Sequence, residues 1–216
     1  MTRKIPSALR EATIVRNVST LVGISLLLSV PVGIRAQDNV AAEVAVCLPC
    51  HGPDSDAIAP APGVPPFPKL DGQHPEYLVK QLREFKSGKR KNDLMAPILA
   101  KLNGKQFSAL ASHFSSQTPN ARPGGDAQLA ERGRALYESG NPDKGIPGCI
   151  GCHLPNAVGA PRYPRLARQR QSYIVQQLTN FKTGARTNDR AHVMRSIAAN
   201  LSEQDMRALA EYVAGR

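Results

Sequence analysis

The chain has 216 residues, of which 41% are hydrophobic, and a formal net charge of +11. This length allows one or two domains, and the composition is ordinary for a soluble protein. All four cysteines lie in two C-x-x-C-H motifs, so none remains for a structural disulfide. These features exclude a small fold stabilised by disulfides.

The first 36 residues predict an export signal. Four basic residues precede an uncharged, apolar stretch at residues 21–30, and Pro31 and Gly33 follow it. This order of features is typical of a cleaved secretory signal. An uncleaved membrane anchor is the alternative, because residues 17–34 hold 18 uncharged positions, close to the minimum for a spanning helix. Both interpretations place the rest of the chain outside the cytoplasm, and we expect it to be periplasmic.

Two copies of one unit follow the export signal. The segment at residues 67–93 recurs at residues 163–189 with an offset of 96, and the offset then becomes 99. We therefore predict two tandem domains, residues 37–118 and residues 126–216. Residues 119–125 are rich in proline and glycine, which predicts that they form the linker.

The spacing of apolar residues in both units predicts an all-α fold. In the first copy Leu78, Leu82 and Phe85 share one helical face, and Gly88 is placed to end that helix. The second copy repeats the pattern and ends at the equivalent Gly184. Apolar positions at helical spacing mark a further helix at the end of each unit, and no segment shows the sustained alternation of a strand. Because so small a unit buries little apolar surface, we expect a cofactor to complete each core.

Each unit contains one C-x-x-C-H motif, at residues 47–51 and at residues 149–153. Two thiols separated by two residues can add to the two vinyl groups of one haem, and the adjacent imidazole can bind its iron. A zinc site is the weaker alternative, because its histidine usually comes from a distant segment. We therefore predict two covalent haem c groups. The attachment residues are Cys47, Cys50, Cys149 and Cys152, and the first axial ligands of the irons are His51 and His153.

The sixth ligand of each iron is expected from a methionine. Met1 is the start residue, and Met206 occupies an apolar position of the last predicted helix. Met95 and Met194 remain, align with each other in the repeat, and follow the histidine of their unit by 44 and 41 residues, between two predicted helices. We predict both as axial ligands, with His192 as the alternative to Met194. Ligation by histidine and methionine raises the reduction potential and leaves no open iron position, which favours electron transfer over substrate chemistry.

Together with the haem motifs, three paired elements resemble the cytochrome c4 family of dihaem class I c-type cytochromes. They are the P-x-L-x-x-Q segments at residues 68–73 and 164–169, the Y-x-x-x-Q-L helices, and the Asn-Asp segments before Met95 and Met194. The resemblance covers about residues 40–216. It implies two class I cytochrome c domains, each around one covalent haem, that pack about a pseudo-twofold axis.

The resemblance also implies roles for two prolines and a cellular function. The carbonyls of Pro68 and Pro164 would accept the ring N–H of the proximal histidines, a bond that orients the imidazole and tunes its basicity. The protein would be a periplasmic carrier that serves terminal oxidases or other respiratory partners.

The basic residues form two clusters near the predicted sites. The first contains Lys86, Lys89, Arg90 and Lys91, and the second contains Arg162, Arg165, Arg168 and Arg170. One interpretation is a docking rim for an acidic redox partner, where opposite charge raises the encounter rate. The other is a solvated surface that serves solubility alone. Nucleic acid is not an expected partner of an exported haem protein.

Three functions are compatible with these motifs. The leading hypothesis is a non-enzymatic carrier, soluble or loosely attached to the membrane, that moves single electrons between periplasmic partners. The second is a cytochrome subunit of a larger dehydrogenase complex. The third is a catalytic dihaem enzyme, which would need one open iron position, whereas both units carry a matched methionine.

Overall fold

The computed structural model describes residues 40–52, 64, 66–120 and 125–216. The predicted export signal and the centre of the predicted linker lie outside these residues. The α-helices of the described residues are α1 (Val40–His51), α2 (Pro75–Lys86), α3 (Met95–Ala100), α4 (Gly104–Ser115), α5 (Ala127–Ser139), α6 (Ile150–His153), α7 (Gln171–Thr183), α8 (Val193–Ala199) and α9 (Glu203–Ala214). The only β-structure in the described residues is two isolated bridges, so the all-α prediction is confirmed. None of the described helices combines the length and apolar character that a membrane crossing requires.

The two central helices, α2 and α7, end where the sequence predicts. α2 begins at Pro75, which lacks the N–H that would be unpaired at this position anyway. Gly88 follows its end with a φ of +74°. Gly184 caps α7 with a φ of +77° and donates its N–H to the Phe181 carbonyl. A residue with a Cβ is disfavoured at such a φ by roughly 1–2 kcal/mol, so glycine suits both helix ends.

The second half of the chain, residues 125–216, is built on the packing of α5 against α9. Gly133 permits their close approach, because a Cβ at this position would lie 2.0 Å from the Ala208 carbonyl oxygen. The core between them includes Tyr137, whose ring centroid lies 5.3 Å from that of Tyr212. Cys149 of the haem motif packs against the same core. The core therefore extends to the predicted attachment site.

The first half, residues 40–120, has a smaller core between α1, α2 and α4. Its buried members are Val44, Leu78, Leu110, Ala111 and Phe114. Cys47 borders this core as Cys149 borders the other one. In both halves, helices that lie far apart in the sequence thus support the first cysteine of the motif.

The halves meet through polar side chains that the repeat duplicates. Arg90 donates to Tyr173 Oη and to Gln177 Oε1, both at 2.9 Å. In the opposite direction, Arg186 donates to the equivalent residues of the first half, with 3.0 Å to Tyr77 Oη and 3.2 Å to Gln81 Oε1. Exchange of equivalent contacts is the property of a twofold-related interface. We call these six residues the arginine–tyrosine cluster.

The arginine–tyrosine cluster is buried and strongly cationic. Arg90 and Arg186 are 9% and 8% exposed. Glu84 is the adjoining carboxylate and accepts from Asn188 Nδ2 at 2.6 Å. Burial alone would raise the pKa of the Tyr77 phenol, but the Arg186 and Arg90 guanidinium groups lower it below its ordinary value. The cluster therefore orders the interface by hydrogen bonds.

Replacement of Gly133 by alanine tests the close approach of α5 and α9. Because the new Cβ would overlap a backbone atom, we expect Gly133→Ala to lower the free energy of unfolding by about 1–3 kcal/mol. The control is Gly104→Ala, where no atom lies within 4 Å of the added Cβ. Denaturant unfolding of the haem-loaded variants measures both effects, and equal midpoints would contradict this packing.

Removal of one hydroxyl tests the arginine–tyrosine cluster. Tyr77→Phe leaves the buried Arg186 guanidinium without one acceptor, and we expect a loss of about 1–3 kcal/mol in unfolding free energy. Tyr163→Phe is the matched control, because the Tyr163 side chain is 43% exposed. If both variants unfold at the denaturant concentration of the wild type, the Tyr77 contact contributes nothing to stability.

Candidate haem sites

The residues of each haem motif lie on one helical face. Positions separated by three and four residues are neighbours on a helix surface. Cys47, Cys50 and His51 have this spacing in the last turn of α1. In the second half the single turn of α6 ends at His153, and Cys149 precedes it in helical conformation. Both motifs therefore present two thiols and one imidazole to the same side.

All four thiols are free and partly buried. Burial raises the pKa of Cys47 and raises that of Cys149 to about 11. Both groups are therefore neutral thiols near neutral pH. Addition of a thiol to a vinyl group joins its sulfur to one carbon and its hydrogen to the other, which removes the ionisable group.

Both motif histidines are buried and oriented by a proline carbonyl. His51 Nδ1 lies 2.8 Å from Pro68 O, and His153 Nδ1 lies 2.9 Å from Pro164 O. A carbonyl oxygen only accepts, so Nδ1 carries the proton and donates it. Burial lowers the pKa of both imidazoles, which keeps them neutral. The remaining nitrogen, Nε2, is thus the one that could bind a metal.

The two candidate methionines lie in the first turns of short helices that the sequence pattern did not predict. Met95 begins α3, and Met194 is the second residue of α8. Both are partly buried, whereas His192 is exposed. Asn92 Oδ1 accepts from the Met95 N–H at 2.9 Å. In the second half Asp189 takes the corresponding role, accepting from the Arg195 N–H at 3.1 Å.

Two equivalent lysines tie the methionine helices to the central helices. Lys182 Nζ, on α7, donates to the Leu201 carbonyl after α8 at 2.5 Å. Lys86 Nζ, on α2, donates to the carbonyl of Ala100, the last residue of α3, and to that of Leu102, which follows the helix. These contacts fix the end of each methionine helix.

Two members of the basic clusters are buried and two more are partly buried. Arg90 and Arg170 are buried, so they cannot belong to an exposed docking rim, and that part of the prediction is wrong. Arg165 donates to the Asp71 carbonyl at 2.6 Å. Arg168 donates to the Pro119 carbonyl at 2.7 Å. These guanidinium groups were misassigned because their partners belong to the other half or to the linker.

Four of the eight cluster residues are exposed. They are Lys86, Lys89, Lys91 and Arg162. Lys89 also forms an ion pair with Glu84 at 3.4 Å. The exposed cationic surface near the sites is therefore smaller than the sequence suggests, and it belongs mainly to the first half.

Haem fits the chemistry of the side chains present. Within the described residues, Gln81 Nε2 and Arg165 Nε are buried donors without a hydrogen-bond partner. Buried donors of this kind usually have an acceptor, and the carboxylates of haem would supply acceptors and negative charge. Among the described residues, no group of three His, Cys, Asp or Glu side chains is arranged to hold a metal ion alone. The free thiols, the Nε2 atoms and these donors together match two haem c groups.

Comparison with known proteins shows which family this chain resembles. A family model described as cytochrome c matches residues 130–215. The cytochrome c4 of Thiocapsa roseopersicina is 42% identical over 174 residues, which cover 79% of this chain and 86% of the relative. A thiosulfate dehydrogenase electron acceptor of Thiomonas intermedia is 34% identical over 177 residues, covering 81% and 80%. The crystal structure of reduced cytochrome c4 from Pseudomonas stutzeri aligns with a TM-score of 0.73 and 39% identity, over 83% of this chain and 97% of that one.

The two relatives and the solved structure align with about four fifths of this chain, whereas the family model covers residues 130–215. Cytochromes c4 are dihaem electron carriers rather than enzymes, and the two cysteine pairs of this chain are consistent with two haem c groups. The chain accordingly carries two covalent haem c groups and transfers electrons. With about 40% identity over about 80% of its length, this chain belongs to the cytochrome c4 family.

Proposed function

We propose that this chain is a periplasmic carrier that passes single electrons between respiratory proteins through two haems with histidine and methionine ligands. The first haem would have His51 and Met95 as axial ligands, and the second would have His153 and Met194. The observation that supports this proposal most strongly is the duplication of the site. Each half contains one buried histidine fixed at Nδ1 by a proline carbonyl and one methionine in the first turn of a short, tethered helix.

Bound haem supplies reversible one-electron chemistry at its iron. The residues of the chain hold the ligands so that they need not move when the charge changes. The proline carbonyls fix the imidazole orientation, and Asn92 and Lys86 hold the two ends of the first methionine segment. Such preorganisation lowers the cost of rearrangement during electron transfer.

Location and partner class follow from charge and sequence. The predicted export signal and the requirements of c-type haem attachment support a periplasmic location. The residues after position 36 carry a net charge of +7, and Lys89 and Lys91 are exposed near the first site. These charges favour a redox partner with an acidic docking surface, such as a terminal oxidase or a dehydrogenase.

A specific similarity favours a second candidate, an electron acceptor or subunit of a dehydrogenase. The Thiomonas intermedia relative is named an electron acceptor of thiosulfate dehydrogenase. A thiosulfate dehydrogenase structure from Marichromatium purpuratum aligns with 78% of this chain at a TM-score of 0.67, although the match covers 36% of that larger chain. Co-purification with a dehydrogenase subunit would favour this candidate over a free carrier.

Replacement of the two methionines tests the ligand assignment. We expect Met95→Ala and Met194→Ala each to open one iron, to abolish its near-infrared methionine–ferric band, and to lower its reduction potential, because a thioether ligand raises the potential. Spectroelectrochemical titration and carbon monoxide binding to the reduced protein measure these effects.

Two variants serve as controls in the same titration. Met206→Leu replaces a methionine that is 3% exposed in the core of the second half, and it should change neither potential. His192→Ala tests the alternative ligand. If His192→Ala opens an iron and Met194→Ala does not, the assignment of the second haem is wrong.

A further inference from the structure

The final glutamines of the two P-x-L-x-x-Q segments reach across the interface between the halves. Gln169 Oε1 accepts from the Lys69 N–H and Gln169 Nε2 donates to the Lys69 carbonyl, both at 2.9 Å. Gln73 Oε1 accepts from the Arg165 N–H at 2.8 Å, and its Nε2 donates to the Arg165 carbonyl at 2.9 Å. Each glutamine thus clamps one backbone residue of the opposite half.

The orientation of both amide groups follows from their partners. Gln169 Oε1 also accepts from the Arg170 N–H at 3.0 Å, and Gln73 Oε1 accepts from the His74 N–H at 3.1 Å. Each amide oxygen therefore lies between two N–H donors, where an NH₂ group would have no acceptor. The oxygen, and not the nitrogen, must face the clamped N–H.

The clamped N–H belongs to the peptide group that orients the haem histidine. The Lys69 N–H and the Pro68 carbonyl are the two ends of one peptide unit, and Pro68 O is the acceptor for His51 Nδ1. In the other half, the Arg165 N–H and the Pro164 carbonyl form the peptide unit that holds His153. A continuous chain of hydrogen bonds therefore runs from each glutamine to the histidine of the opposite half.

The first of these chains lies in the interior of the protein, and the second is partly buried, because Arg165 is of intermediate exposure. Lys69 is 3% exposed, Gln169 5% and Gln73 6%. Away from water, hydrogen bonds in series polarise one another. A peptide whose N–H is donated to an amide oxygen has a more negative carbonyl oxygen, which accepts more strongly from the imidazole N–H. The imidazole then gains anionic character and stabilises ferric iron relative to ferrous iron.

We propose that Gln169 lowers the reduction potential of the first haem and that Gln73 lowers that of the second, each acting across the interface through one peptide group. Both are positioning residues, since neither touches the iron. The proposal rests on the proposed role of His51 and His153 as iron ligands. It makes the potential of each haem depend on the docking of the opposite half.

The test uses Gln169→Met and Gln73→Met in the full haem-loaded chain. Methionine keeps the length of glutamine and removes the acceptor oxygen. In a redox titration followed by NMR of the haem methyl signals, which separates the two haems, Gln169→Met should raise the potential of the first haem more than that of the second. Gln73→Met should show the opposite order, and the hyperfine-shifted Nδ1–H signal of the affected histidine should move with it.

Two further variants complete the design. Gln176→Met makes the same substitution at a side chain that bonds within its own helix, to Asn180, and should leave both potentials unchanged. Gln169→Glu keeps an acceptor oxygen at this position, so it should not raise the potential of the first haem. If Gln169→Met does not fold, the potential of the first haem in Gln169→Glu still tests the proposal.

The proposal requires each glutamine substitution to shift mainly the potential of the haem in the opposite half. Equal shifts of both haems, or a larger shift of the haem in the substituted half, would show a loosened interface and overturn the proposal. A rise of the first potential in Gln169→Glu would overturn it as well. Loss of the methionine–ferric band in either glutamine variant would also contradict it, because the glutamine would then act on ligation. The Met95→Ala and Met194→Ala titration tests the ligand set separately, so the two failures are distinguishable.

Discussion

The hydrogen bond from a buried imidazole to a proline carbonyl is the constraint around which each half is arranged. It joins the end of the motif helix to the P-x-L segment, at His51 and Pro68 and again at His153 and Pro164. The bond fixes the tautomer and leaves Nε2 available for iron, while burial lowers the pKa of the imidazole and keeps it neutral. The cores that border Cys47 and Cys149 hold the other side of each motif. Each proposed haem site is thus held from two sides, by the proline carbonyl that accepts from the histidine and by the core that borders the first cysteine.

Duplication of the unit produced an interface in which the same residues are used twice. Arg90 and Arg186 exchange tyrosine and glutamine partners, and the two P-x-L-x-x-Q glutamines exchange backbone clamps. Buried guanidinium groups are costly unless they are fully hydrogen-bonded, and here each has several acceptors. The halves also differ, since Asn188 crosses to Glu84 whereas the equivalent Asn92 caps its own methionine helix. The two halves therefore share most of their interface contacts but differ in the partners of the equivalent Asn92 and Asn188.

The sequence predicts the central helices well and the interface poorly. α2 and α7 follow from apolar spacing and from Gly88 and Gly184, because these signals are local. α3 and α8 were missed, since six or seven residues hold too few turns for a periodic pattern. Arg90 and Arg170 were misplaced on the surface because hydropathy gives no information about a charged residue whose partners lie about 100 positions away. One signal was available, namely the recurrence at a constant offset of 96 of a Tyr and a Gln in each central helix and an Arg shortly after its end.

We propose that methionine is the sixth ligand of both irons, so that neither haem has an open position and both only transfer electrons. The most direct measurement is the near-infrared spectrum of the oxidised wild-type protein, calibrated per haem, together with exposure of the reduced protein to carbon monoxide. We expect a methionine–ferric band with the intensity of two haems per chain and no carbon monoxide adduct. A band with the intensity of one haem, or carbon monoxide binding at either iron, would contradict it.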